Sequence, residues 1–150
     1  MNPVPYILAA ITALIGIFVA FVGYQQFKIS REKFKLDLFE KRFVVYKGAQ
    51  VFLSYVMRDA NVDMEKFFEF RAATQDAIFL FGEDIQIFLQ HLDRKALELY
   101  RRQTELKDVP VGEERSRLCK EESEVLGDLG DQLPRLKHVF APYLRFKTWK

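Results

Sequence analysis

A di-metal carboxylate site in a helical protein needs Glu-x-x-His pairs, which place a carboxylate and an imidazole three residues apart on one helix face. The residues three before the two histidines, His91 and His138, are Phe88 and Arg135, so this chemistry has no ligands here. Two histidines and one cysteine give no zinc-site spacing, and the chain has neither a glycine-rich phosphate loop nor a nucleophile elbow. Cys119, between Leu118 and Lys120 in a helical pattern, reads as a small buried hydrophobe rather than a nucleophile. His91 has Asp84 and Glu98 one or two turns away and reads as a partly solvated surface residue. The carboxylates Glu113, Glu114, Glu121, Glu122 and Glu124 alternate with Arg115, Arg117 and Lys120 in the manner of a solvated helix face. These residues predict no enzyme, no cofactor and no metal site.

The elements that carry them are easier to read. The chain has 150 residues, 49% hydrophobic and 29% charged, which is too apolar for a disordered chain. With 7 Gly, 5 Pro and a single Cys it is not collagenous, low-complexity or disulfide-stapled. Charge is unevenly placed, and no charged side chain precedes Lys28. Val4 to Tyr24 is an apolar run of 21 residues, matching the roughly 20 that a helix needs to cross hydrocarbon. Inside lipid every backbone polar group must be paired, so the run must be helical, with Tyr6 and Tyr24 as interfacial anchors. A cleaved signal peptide or a buried soluble helix would fit less well, because the basic cluster follows the run instead of preceding it.

That cluster, Lys28, Arg31, Lys33 and Lys35, predicts by the positive-inside rule an amino terminus outside and a carboxy-terminal domain in the cytoplasm. A lone cysteine suits a reducing compartment. Within the run, Ala9 with Ala13, Thr12 with Gly16, and Gly16 with Ala20 stand at helical spacing, either as a face for a second helix or as small residues facing lipid. The expected division is a membrane anchor over 1–27 and a cytoplasmic helical domain over 28–150.

Beyond Gln25 there is no strand alternation, and the expected fold is all-α, an antiparallel bundle of four to five helices. The membrane helix continues into a second one carrying Phe27, Phe34, Leu38, Val45, Phe52 and Val56, ending near Arg58. Asp63 precedes a helix whose inner stripe is Phe67, Phe70, Thr74, Ala77 and Phe81, stopped by Gly82. The clearest pattern is Ile85, Leu89, Leu92, Ala96, Leu99, Gln103 and Leu106, at alternating spacings of four and three, broken at Asp108 to Gly112. A helix from about Glu113 to Leu129 buries Leu118, Val125 and Leu129. Another is expected after Gly130, with Pro134 in its first turn and Pro142 at its end.

Residues 25–60 carry eight basic and four acidic groups, 61–133 ten and seventeen, and 134–150 five and none. The basic ends suit anionic lipid headgroups, the first because it adjoins the membrane helix. The tail, with Arg145, Lys147, Trp149 and Lys150, interleaves aromatic and basic residues. That suits a membrane surface or a partner's acidic groove, unless Phe140 and Leu144 close the bundle and the last residues stand in water. Nucleic acid is not an expected partner, since the acidic centre would repel phosphate.

Lys35 to Phe43 with Tyr46, Arg71-Ala72-Ala73-Thr74 with Phe79 to Gly82, Val109 to Arg115, and Phe140 to Leu144 together resemble an uncharacterised group of small bacterial membrane proteins. These have one amino-terminal transmembrane helix and a cytoplasmic helical domain. The resemblance implies a bacterial inner-membrane location and carries no activity. The expected function is that of a non-enzymatic anchor or adaptor, whose helical domain associates with itself or with a protein partner. The alternative is an oligomerising effector that perturbs the bilayer, as a defence or toxin-like protein does.

Overall fold

The computed structural model describes residues 3–145, without the side chains at positions 5, 6 and 10. It is all-helical, with no strand among the described residues: α1 Val4–Asp59, α2 Met64–Thr74, α3 Ala77–Leu80, α4 Glu83–Asp108 and α5 Glu113–Leu144. Contacts divide the chain into two compact units, 1–38 and 39–150.

In the first unit, the apolar stretch of α1 reaches a mean hydropathy of 2.4 over its most apolar 18 residues, and none of that stretch is buried by the rest of the chain. It is the one described helix long and apolar enough to cross a membrane. Phe27 and Phe34, expected on the inner stripe, are 67% and 68% exposed. The packed stripe of α1 begins only at Val45, because no other element of the first unit exists for those rings to pack on. Asp37 and Lys41, suited by spacing to pair, form no ion pair, whereas Lys35 reaches Glu32 at 3.5 Å.

The second unit has one apolar core. Val45, Ala49, Phe52, Leu53 and Val56 of α1 meet Phe67 and Phe70 of α2, the α4 stripe, and Val125, Leu129, Leu136 and Phe140 of α5. Gly48 sits where α1 and α2 approach closely, since a Cβ there would stand 2.5 Å from the Cβ of Ala73. In an open helix interior, Gly to Ala gains about 1 kcal/mol. Gly127, with no neighbour within 4 Å of such a Cβ, should follow that rule. Chemical denaturation should therefore find Gly127→Ala more stable than the parent by about 0.5–1 kcal/mol and Gly48→Ala less stable.

Asp63 caps α2, accepting from the Glu65 N–H at 2.7 Å, and Ala60 makes the preceding turn at φ 47. Gln103, the polar member of the α4 pattern, holds this turn: its Nε2 donates to Ala60 O at 2.8 Å, and its Oε1 accepts from Val62 N–H at 3.1 Å. The expected single helix to Gly82 is instead broken at Gln75-Asp76. Thr74 Oγ1 bonds back to Phe70 O, and the Phe79 N–H bonds to Asp76 O three residues earlier, opening one tight turn. Gly82 is not a left-handed helix stop. At φ −74 and ψ 175 it is extended and caps the start of α4, and a Cβ there would meet the Tyr143 hydroxyl at 2.6 Å.

The boundary expected at Gly130 does not exist, and α5 runs through Gly127, Gly130, Pro134 and Pro142. Leu118, Val125, Leu129, Leu136 and Phe140 keep one buried face, and this continuous burial outweighs the local cost of exposed Pro134. Pairs Arg102 with Glu121, Lys95 with Asp128, and Asp84 with Tyr143 show that α4 and α5 run in opposite senses. Arg115 is also not simply part of a solvated face: its Nη1 donates to Leu106 O and Val109 O, at 3.0 and 2.7 Å, and closes the end of α4.

Arg42 ties three segments of this unit. Its Nε donates to Leu80 O at 2.9 Å and its Nη1 to Tyr143 O at 3.3 Å, while the guanidinium lies over the rings of Phe81 and Tyr143. Burial pulls its pKa below the ordinary arginine value, against the opposing effect of Tyr143. A lysine cannot reproduce this planar fork. Arg42→Lys should therefore lose about 1–3 kcal/mol in denaturant unfolding, close to the loss for Arg42→Ala.

Candidate functional site

The residues expected to matter fall into three places. Lys28, Arg31 and Lys33 are exposed and Lys35 is half-buried. Helical spacing puts Lys28, Arg31 and Lys35 on one side of α1. Arg145 is exposed, and Lys147, Trp149 and Lys150 lie outside the described residues. Ala9, Thr12, Ala13, Gly16 and Ala20 are all exposed on one face of α1. Thr12 satisfies its hydroxyl on Leu8 O at 2.9 Å, and Gly16 has open space around it. That face therefore presents small, internally satisfied groups, as close helix approach requires.

An apolar groove between α1 and α2, about 380 Å³, is lined by Phe43, Val44, Val51, Tyr55, Phe70 and Ala73, with Lys47, Lys66 and Glu69 on its rim. Val44 and Val51 are 58% and 50% exposed, and the adjoining hollow is bordered by Phe79, 84% exposed. Apolar side chains left together in water lose the stabilisation that burial gives, about 25 cal/mol per Å², so such a surface gains by being covered.

A cleft of about 490 Å³ lies between α4 and α5. It is lined by His91 and Arg94 on one helix and by Gln132, Arg135 and His138 on the other, with Ile87, Phe88, Val139 and Pro142 as apolar walls. Asp84 also lines the cleft and Asp128 stands beside His91, and both are engaged. Asp84 Oδ1 accepts the Tyr143 hydroxyl at 2.7 Å, and Asp128 Oδ2 stands 3.2 Å from Lys95 Nζ and 3.7 Å from His91 Nε2. Gln132 is 5% exposed. Its Nε2 donates to Asp128 O at 3.2 Å, which turns Oε1 away from that carbonyl and leaves it without a hydrogen-bond partner. A buried acceptor without a donor costs about 1–3 kcal/mol.

The hydrogen bond to Asp84, then partial burial, raise the Tyr143 phenol above the ordinary tyrosine value. A raised folded-state value means that this contribution to stability is intact below about pH 10, the unfolded value, and is lost as pH rises through the higher folded one. Ultraviolet titration should show one late-ionising phenol in the parent that is missing in Tyr143→Phe.

This cleft is not among the features that the sequence predicts. His91 is indeed half-exposed, yet its nearest acid is Asp128 of α5 rather than Asp84 or Glu98. The available signal was a mirrored pair, His91 with Arg94 and Arg135 with His138, each at a spacing of three. Cys119 is exposed rather than buried, because Leu118 takes the inward position and the next residue on a helix turns away. Among the described residues no group of three or more His, Cys, Asp or Glu could hold a metal ion.

No family model, curated protein or solved structure matches the chain. What the described residues define is a class: a helical protein with one helix long and apolar enough to span a membrane.

Proposed function

We propose that this is a single-pass bacterial inner-membrane protein, spanning the bilayer with Val4 to Tyr24. Its amino terminus lies outside, and its helices beyond the membrane form an antiparallel cytoplasmic bundle that acts without catalysis, by association with a second copy of the chain. The observation that carries this reading is the apolar groove where Phe43, Val44 and Val51 stand exposed side by side on a unit that already has one packed core. Its rim carries both signs, Lys47 and Lys66 beside Glu69, which suits a two-fold contact in which each copy meets the other's opposite charge. The small-residue face from Ala9 to Ala20 suits a further contact between copies, and the basic residues from Lys28 to Lys35 suit anionic headgroups.

Two differently tagged copies, coexpressed and extracted in mild detergent, should copurify, and Val44→Asp with Val51→Asp should reduce the recovery at least tenfold. Equal recovery from that variant would remove the groove from the interface. The small-residue face also favours a second reading, an oligomerising effector that perturbs the bilayer. Overexpression that leaves the membrane potential unchanged would exclude it.

A further inference from the structure

The cleft between α4 and α5 has features that packing alone does not require. Both histidines of the chain line it. Arg94 and Arg135 line it from opposite helices and are exposed, and neither forms an ion pair or hydrogen bond with another described residue. The segment 61–133 is acidic as a whole, yet the two acids at this place, Asp84 and Asp128, are held by Tyr143 and by Lys95 with His91. The lining carries Arg94 and Arg135 against the one carboxylate of Asp84, whose charge the neutral Tyr143 hydroxyl does not cancel, so it is positive by one. Gln132 also lines the cleft, buried and with its amide nitrogen committed to Asp128 O, and its carbonyl oxygen lacks a donor. Arginine pairs suit the oxygens of a phosphoryl group, and an orphan acceptor suits a hydroxyl on the same molecule. Ile87, Phe88 and Val139 add an apolar wall for a short carbon skeleton.

We propose that this cleft binds a small hydroxyl-bearing organic phosphate, with its phosphoryl group on Arg94 and Arg135 beside the two imidazoles and its hydroxyl donating to Gln132 Oε1. The same chemistry is offered by a soluble phosphate ester and by a phospholipid headgroup. The inference does not depend on how the chain associates with itself.

Because His91 and His138 are the chain's only histidines, selective isotope labelling of histidine reports on the cleft without any substitution. The full chain in zwitterionic nanodiscs is titrated with glycerol 3-phosphate and, separately, with inorganic phosphate. A second preparation carries phosphatidylglycerol in the nanodisc. The expected result is a saturable shift of both imidazole signals by glycerol 3-phosphate at lower concentration than by inorganic phosphate, or by phosphatidylglycerol where the headgroup is the source. Arg94→Gln with Arg135→Gln should weaken it at least tenfold. Both arginines are exposed, so the variant should keep the parent's melting temperature. Gln132→Leu should remove the preference for the ester over inorganic phosphate. No saturable shift from either source, or the same affinity in the doubly substituted protein, would overturn the proposal. Equal response to the ester and the inorganic ion would overturn the role of Gln132.

Discussion

Phe140→Ala lowers the stability of the helical unit by about 3–5 kcal/mol, the cost of deleting a buried aromatic ring. Phe140 is fully buried, and its ring meets Tyr46 of α1 at 5.6 Å, Phe81 beyond α3 at 5.2 Å and Phe88 of α4 at 6.5 Å between centroids. These neighbours come from separate elements, each anchored by its own backbone, so they cannot close the cavity without moving a helix. Thermal unfolding followed by circular dichroism should show a drop of roughly 10–20 °C in Tm. Phe79→Ala, which removes a ring that is 84% exposed, should stay within about 0.5 kcal/mol of the parent. A comparable loss at both positions would mean that the core is not centred where α1, α4 and α5 meet.

Leu14→Arg should sharply reduce membrane association. Leu14 lies in the middle of the apolar stretch and is 66% exposed, so its side chain is covered by nothing in the chain itself. A basic residue at the centre of a spanning helix costs about 2.5–3.5 kcal/mol on insertion scales, enough to shift an insertion equilibrium by roughly a hundredfold. The fraction retained in membranes after an alkaline wash measures it. Val111→Arg, at a position 95% exposed between α4 and α5, is the control and should leave retention unchanged. Full retention of Leu14→Arg would count against the spanning assignment.

The parts of this fold that can be read in the sequence are those governed by one segment at a time. The stripe from Ile85 to Leu106 has buried apolar members because a helix turns 3.6 residues at a time, whatever its neighbours do. Asp63 caps α2 through a bond two residues long. The same local logic fails where a distant partner decides. Gly130 and Pro134 suggest a helix boundary, but Leu129, Leu136 and Phe140 sit on one buried face, and their packing carries α5 through. Gly82 looks like a helix stop, yet its lack of a side chain serves the approach of the Tyr143 hydroxyl from the far end of the chain. Gln103 breaks an apolar pattern because its amide is needed by Ala60 and Val62, more than forty residues earlier.

The site was less legible than the fold for a related reason. Basic and small residues announce themselves by composition, and so Lys28 to Lys35 and Ala9 to Ala20 could be picked out at once. The groove beside Val44 and the cleft beneath Arg94 exist only after two helices are set side by side. Val44 and Val51 stand seven apart on α1, a spacing that in sequence cannot be told from one more core stripe. Val45 and Phe52, one residue further on, stand on the expected inner stripe and are buried, but that Val44 and Val51 share a groove with α2 depends on how the two helices pack.

The most direct test of the account is the mass of the native complex after extraction from membranes in mild detergent. Association through the groove and the small-residue face predicts a protein mass that is a whole multiple of 17.7 kDa, at least two copies, falling to one copy in the Val44→Asp, Val51→Asp variant. A parent protein that runs as a single 17.7 kDa chain, with no second copy in fixed ratio, would contradict it.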